Sequence, residues 1–133
     1  MKYLLDTCAI SDFVKGDKNT LKHLKNTSPS DIAVSSITLM EIQYGLALNQ
    51  ARAASLKNII KDFLQSIVIV DFGKDDALQS AIIRAFLKEQ GNPIGSYDIL
   101  IAGTALNYKL TLVSSNLKEF VRVNGLQIEN WRD

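Results

Sequence analysis

With 133 residues, 47% of them hydrophobic, and a formal net charge of +1, the chain is long enough for one domain with its own core and lacks the basic balance of a protein that coats nucleic acid. No apolar stretch approaches the roughly 18 residues a membrane span needs, and the run after Lys2, only Tyr3-Leu4-Leu5, is far short of a signal-peptide core. Cys8 is the only cysteine and cannot form an internal disulfide, so a reducing compartment, the cytoplasm, is the expectation.

In chain order, Tyr3-Leu4-Leu5 reads as a short buried strand ending in Asp6. A short helix is predicted over Ala9 to Val14 and a second over the lysine-rich stretch from Asn19 to Asn26, where Lys18, Lys22 and Lys25 share a solvated face. Ile32-Ala33-Val34 reads as a strand. The next helix has Leu39, Ile42 and Leu46 on one face and Ser36 as its N-cap. Another helix spans about Ala51 to Leu64. Ile67-Val68-Ile69-Val70 is β-branched throughout and predicts a fully buried strand. A long helix follows over Asp75 to Gln90, with Ala77, Ala81, Ile82 and Ala85 inward. The stretch GNPIGSY is a loop, Asp98 begins a helix, Leu110 to Val113 is a strand, and Gln127-Ile128 is a last short one. Strands that alternate with helices imply an α/β fold with a mainly parallel sheet and helices on both faces. Ligands of such sheets bind at the carboxyl ends of the strands.

Of fourteen acidic residues, most lie in polar segments. Asp6, Glu41 and Asp98 do not. Asp6 ends a strand, Glu41 sits inside an apolar helix, and Asp98 stands directly before Ile99-Leu100-Ile101. Asn116 follows the Val113 strand by three residues. Each has a structural reading. Asp98 suits an N-cap, Thr38 to Glu41 fits a capping box, and Asp6 or Asn116 suits a turn. Those readings leave the convergence unexplained, because the parallel sheet puts all four at one rim. Carboxylates gathered there repel each other unless a cation neutralises them. Oxygen-only donors favour Mg²⁺ or Mn²⁺. His23, the only histidine, has no neighbour suited to a proton relay, and Cys8 reads as a small packed residue.

These residues in this order resemble the PIN domain, and within it the VapC toxins of bacterial toxin–antitoxin pairs. The resemblance rests on YLLDTC, SSITLMEIQYG, PIGSYDILIAGTAL and LTLVSSNLKEFVRVNGLQIENW, and it covers nearly the whole chain. It implies a single three-layer PIN domain over residues 1–133 and an endoribonuclease dependent on Mg²⁺ or Mn²⁺, with tRNA among the possible substrates and products ending in 5′-phosphate and 3′-hydroxyl. It also implies a VapB-type antitoxin, a homodimer and a larger toxin–antitoxin complex. Asp6, Glu41 and Asp98 carry over as metal-binding catalytic acids, with Asn116 at the fourth-acid position. The hydroxyls of Thr7, Ser36 and Ser115 are candidates for positioning substrate or water. Cys8 stands where Asn is commoner, and the missing charge at Asn116 bears on a second metal. A PIN-like module that binds RNA or a partner without cutting is the alternative.

Overall fold

Tyr3-Leu4-Leu5 forms the central strand, β1 (Tyr3–Leu5), of the computed structural model, which describes residues 1–133. The chain continues through α1 (Thr7–Lys15), α2 (Lys18–Lys25), a 3-10 turn (Pro29–Asp31), β2 (Ile32–Ser35), α3 (Ser36–Leu48) and α4 (Gln50–Ser66). It then forms β3 (Val68–Val70), α5 (Lys74–Glu89), α6 (Ser96–Tyr108), β4 (Thr111–Val113), α7 (Leu117–Phe120) and β5 (Ile128–Glu129). The strands lie in the order β3-β2-β1-β4-β5, and every pairing is parallel. The expected α/β architecture is present, with a fully parallel sheet where a mainly parallel one was expected.

Strand alternation sorts the core into two layers. Leu4, Ala33 and Leu112 face one side and pack with Ile83, Leu87 and Ile101 of α5 and α6. Their neighbours Leu5, Val34 and Val113 face the other and pack with Ile10, Ile42 and Ile60 of α1, α3 and α4. The strand order reverses direction between β1 and β4, since the chain winds from β1 toward β3 and then returns to pair β4 with β1. Crevices for ligands open at such switch points. No helix is long and apolar enough to cross a membrane.

Several local expectations change. The β3 strand lies at the sheet edge, so Ile69 is exposed and the strand is not fully buried. The inward face of α5 is Asp76, Ser80, Ile83 and Leu87, while Ala77, Ala81, Ile82 and Ala85 are exposed. Ser35, not Ser36, caps α3 by accepting the Ile37 N–H at 3.0 Å. The α6 helix starts at Ser96 after Gly95, which puts Asp98 in its first turn and not at its N-cap. His23 stacks on Trp131 with ring centroids 5.2 Å apart, a packing role that accounts for it without a relay.

The polar face of α5 has a steric cause. Gly103 of α6 presses against it. A Cβ at Gly103 would overlap Ser80 Oγ and stand 2.9 Å from the Asp76 carbonyl oxygen. Ser80 is pinned, because its hydroxyl donates to that carbonyl at 2.8 Å. Gly103→Ala therefore forces the two helices apart. The expected loss of stability is about 1–3 kcal/mol, the usual cost of overpacking, read as a lower urea midpoint at unchanged slope. An unaltered midpoint would show that the helices yield without strain.

Candidate active site

Asp6 is held where β1 ends and α1 begins. Its backbone N–H still belongs to the sheet, donating to the Val113 carbonyl at 3.1 Å. Its Oδ1 accepts the Ala9 N–H at 2.8 Å, which caps α1. Its Oδ2 accepts the Ser114 hydroxyl at 2.5 Å, and Ser114 Oγ in turn accepts the Asn116 N–H at 2.9 Å. The β1 and β4 ends are thus tied through one carboxylate, which is 2% exposed. Burial pushes its pKa up to about 6. The Ser114 and Ala9 hydrogen bonds pull the other way, and the charges of Asp12 and Glu41 add to the rise.

Glu41 lies in the second turn of α3, and its Oε1 accepts the Thr7 hydroxyl at 2.7 Å. Asp98, in the first turn of α6, is pushed up to about 7 by burial, then by its hydrogen bond with Glu119 and the charge of that residue, with Asp6 and Glu41 adding to it. Gly95 leaves room for it: a Cβ there would come within 3.1 Å of Asp98 Oδ2. Asn116, expected at the fourth-acid position, bonds a neighbouring carboxylate. Its amide donates to Glu119 Oε2 at 2.6 Å. This bond, foremost, and the contact with Asp98 hold the Glu119 carboxyl below its usual range. The fourth carboxylate is Glu119, and Asn116 orients it.

The sequence-predicted acids Asp6, Glu41 and Asp98 are thus brought within each other's electrostatic reach, and Glu119 joins them. Glu119 was hidden because it lies in a four-residue helix, LKEF, inside a polar stretch. The one available signal is that Asn116 and Glu119 are three residues apart, one helical turn.

A PIN domain profile matches residues 3–126 of the chain. The chain belongs to the PIN-domain family. Over 131 residues it is 34% identical to the tRNA(fMet)-specific endonuclease VapC of Salmonella typhimurium, with 98% of each chain covered. It is 37% identical to Ribonuclease VapC2 of Haemophilus influenzae, again over 98% of each. The structure of DNA-bound VapBC from Salmonella typhimurium superposes with a TM-score of 0.90 at 34% identity, covering 98% of both chains. That of VapBC2 from Rickettsia felis, bound to a DNA fragment from their promoter, also gives 0.90, at 32% identity with 98% of this chain and 99% of that one covered.

None of the four acids of this PIN domain is in an ion pair, and the one cation that acts on them is Arg122, which lowers Glu119 from a distance. The chain's one ion pair lies elsewhere, between Arg132 and the buried Asp12 at 2.7 Å. Hard oxygen donors, an excess of negative charge and carboxyls driven toward protonation are the surroundings a hard divalent cation relieves. The residues therefore fit Mg²⁺ or Mn²⁺. They do not form a finished cage, since no three acids already close on one point, and Asp6 has both oxygens engaged.

The remaining sequence candidates divide. Thr7 touches the acids directly through Glu41. Ser115 lies beside Cys8, where its hydroxyl favours the thiolate. Ser36 accepts the Phe72 N–H at 3.0 Å and so ties α3 to the segment after β3. Cys8 is exposed, not a packed core residue, and in the first turn of α1 it stands beside the acids. Partial burial of its sulfur and the fields of Asp6, Asp98 and Asp12 push its thiol up to about 11, so it is no nucleophile.

Proposed function

We propose that the protein is a cytoplasmic endoribonuclease dependent on Mg²⁺ or Mn²⁺, the toxin of a VapBC-type pair, acting on tRNA. The observation that carries this reading is the group Asp6, Glu41, Asp98 and Glu119, none of them in an ion pair, at the switch point of the sheet. Asp6, Glu41 and Asp98 would hold the cation, with Glu119 beside Asp98. When bound, the cation offsets the carboxylate charge and acts as a Lewis acid toward the phosphodiester. The protein's own part is orientation. Ser114 fixes Asp6, Thr7 fixes Glu41, and Asn116 fixes Glu119. With Oε1 bonded to Thr7, Glu41 keeps Oε2 for the cation or for a water beside it. Substrate choice then comes from RNA shape and from exposed loop bases.

The partners proposed are a VapB-type antitoxin and a second toxin copy. An Arg or Lys of the antitoxin inserted among the acids would compete with the cation. The reading of a module that binds without cutting rests on the lost charge at Asn116, and the Glu119 carboxylate beside it supports the nuclease reading instead.

The experiment is incubation of the purified chain with tRNA. Cleavage is expected with Mg²⁺ or Mn²⁺, is expected to stop in chelator, and returns when metal is restored. Intact RNA at millimolar metal would overturn the nuclease reading.

A further inference from the structure

A groove of about 350 Å³ runs away from the acids between α1, α3 and α4. One end is the Thr7–Glu41 pair, hydrogen-bonded at 2.7 Å. The floor is apolar, formed by Ile10, Val14, Ile42, Leu46 and Leu56. The only cations lining it are Lys15 and Arg52, and both are exposed. Neither has an acidic partner, because the chain's one ion pair is Arg132–Asp12. Thr7 and Lys15 open and close the same helix, eight residues apart, so the cation stands about 12 Å along the groove from the acids.

We propose that this groove is an RNA subsite that holds nucleotides flanking the scissile bond, with Lys15 and Arg52 binding a phosphate beyond the one being cleaved. The proposal rests on the nuclease reading and assigns the path of its substrate. Its first support is continuity: the groove opens on Glu41, so it offers a strand cut at the acids a path away from them. Its second is charge. The acids repel a polyanion, and two unpaired cations just outside them supply the attraction that the site itself lacks. Its third is the floor, which covers the apolar faces of bases. No aromatic side chain lines it, so bases are held by apolar contact without stacking. The expected result is affinity from phosphates with little base preference.

The test uses the full chain in chelator, where RNA is bound without being cut. A fluorescent single-stranded oligoribonucleotide is titrated by anisotropy across a salt series, with wild type and the double variant Lys15→Ala/Arg52→Ala. The variant is expected to bind on the order of 10-fold or more weakly. Its plot of log affinity against log salt should be shallower by about 0.7, the value for one lost phosphate contact on a single strand. With metal present, kcat/KM should fall through KM with kcat little changed. Lys15→Arg/Arg52→Lys should restore both readouts. Thermal unfolding of the alanine variant guards against a folding defect, which is not expected for two exposed side chains. Unchanged affinity and salt slope would overturn the proposal, as would absence of RNA binding by wild type. Loss of antitoxin binding with RNA binding intact would also overturn it and assign the groove to a protein partner. Because binding is read without metal, failure of the groove and failure of the nuclease reading are distinguishable.

Discussion

Asp6→Asn is expected to lower RNA cleavage on the order of 10³-fold, the scale on which removal of a preorganised charge acts, while the fold stays intact. The substitution is nearly isosteric. The amide oxygen still accepts the Ala9 N–H, so α1 keeps its cap. What disappears is the charge that faces the other acids and attracts the cation, while the Ser114 contact survives only in reverse, with the new amide N–H donating to Ser114 Oγ. Burial already drives the Asp6 carboxyl up to about 6, so the metal-free fold carries that charge at a cost near neutral pH. Asp6→Asn should therefore be the more stable protein in chelator and the dead one in metal. Asp6→Ala makes the contrast sharper. It also loses the cap, worth about 1 kcal/mol, and strands the Ser114 hydroxyl. The measurement is single-turnover cleavage beside urea unfolding for both variants. Wild-type rates for Asp6→Asn would remove Asp6 from the site. A loss of activity that tracked unfolding would make its role structural.

The reason Asp6 was legible is the reason Glu119 was not. Asp6, Glu41 and Asp98 each interrupt an apolar run, and a charge inside a hydrophobic stretch is a conflict that sequence alone exposes. Glu119 interrupts nothing. It sits in LKEF beside Lys118, and its environment is set by Asp98 and Asn116, which reach it from α6 and from the β4 exit. The sheet was legible for a similar reason. Alternation of Leu4 with Leu5 and of Leu112 with Val113 needs two apolar faces, and only flanking helices provide them. Sheet order was not legible, so β3 was read as buried when it is an edge. The inward face of α5 failed because its buried stripe holds Asp76 and Ser80. Those two are inward to meet Asn107 and Gly103 of α6, thirty-one and twenty-three positions along the chain. Long-range pairing of this kind leaves no local pattern. The clasp of Arg132 on Asp12, at 2.7 and 2.8 Å, is hidden in the same way.

Metal-free protein is expected to lose stability as pH rises from 5 to 7.5, the opposite of acid denaturation. The sign follows from the two raised carboxyls. Asp6 titrates at about 6 and Asp98 at about 7 in the folded chain, against an ordinary value near 3.8. Between those values the folded state holds more protons than the unfolded one, so stability falls with rising pH. The contribution is complete below about pH 4 and is lost as pH passes through 6 and 7. For the buried Asp6, a rise of about two pKa units at 1.36 kcal/mol each sets the scale on the order of 3 kcal/mol. Asp98 is more exposed and adds less. The lowered carboxyl of Asp17 acts in the other direction, but only where pH falls toward its own range, outside this window. A divalent cation reverses the trend, because it binds the deprotonated acids and stabilises the fold by RT ln(1 + [metal]/Kd). Unfolding in chelator and in Mg²⁺ at the two pH values checks this. The chelator samples should separate by several degrees, the Mg²⁺ samples should converge, and Asp6→Asn should flatten the chelator difference. A chelator midpoint that rose with pH, or a metal effect equal at pH 5 and 7.5, would mean that the acids carry their charge without strain and have no need of the cation.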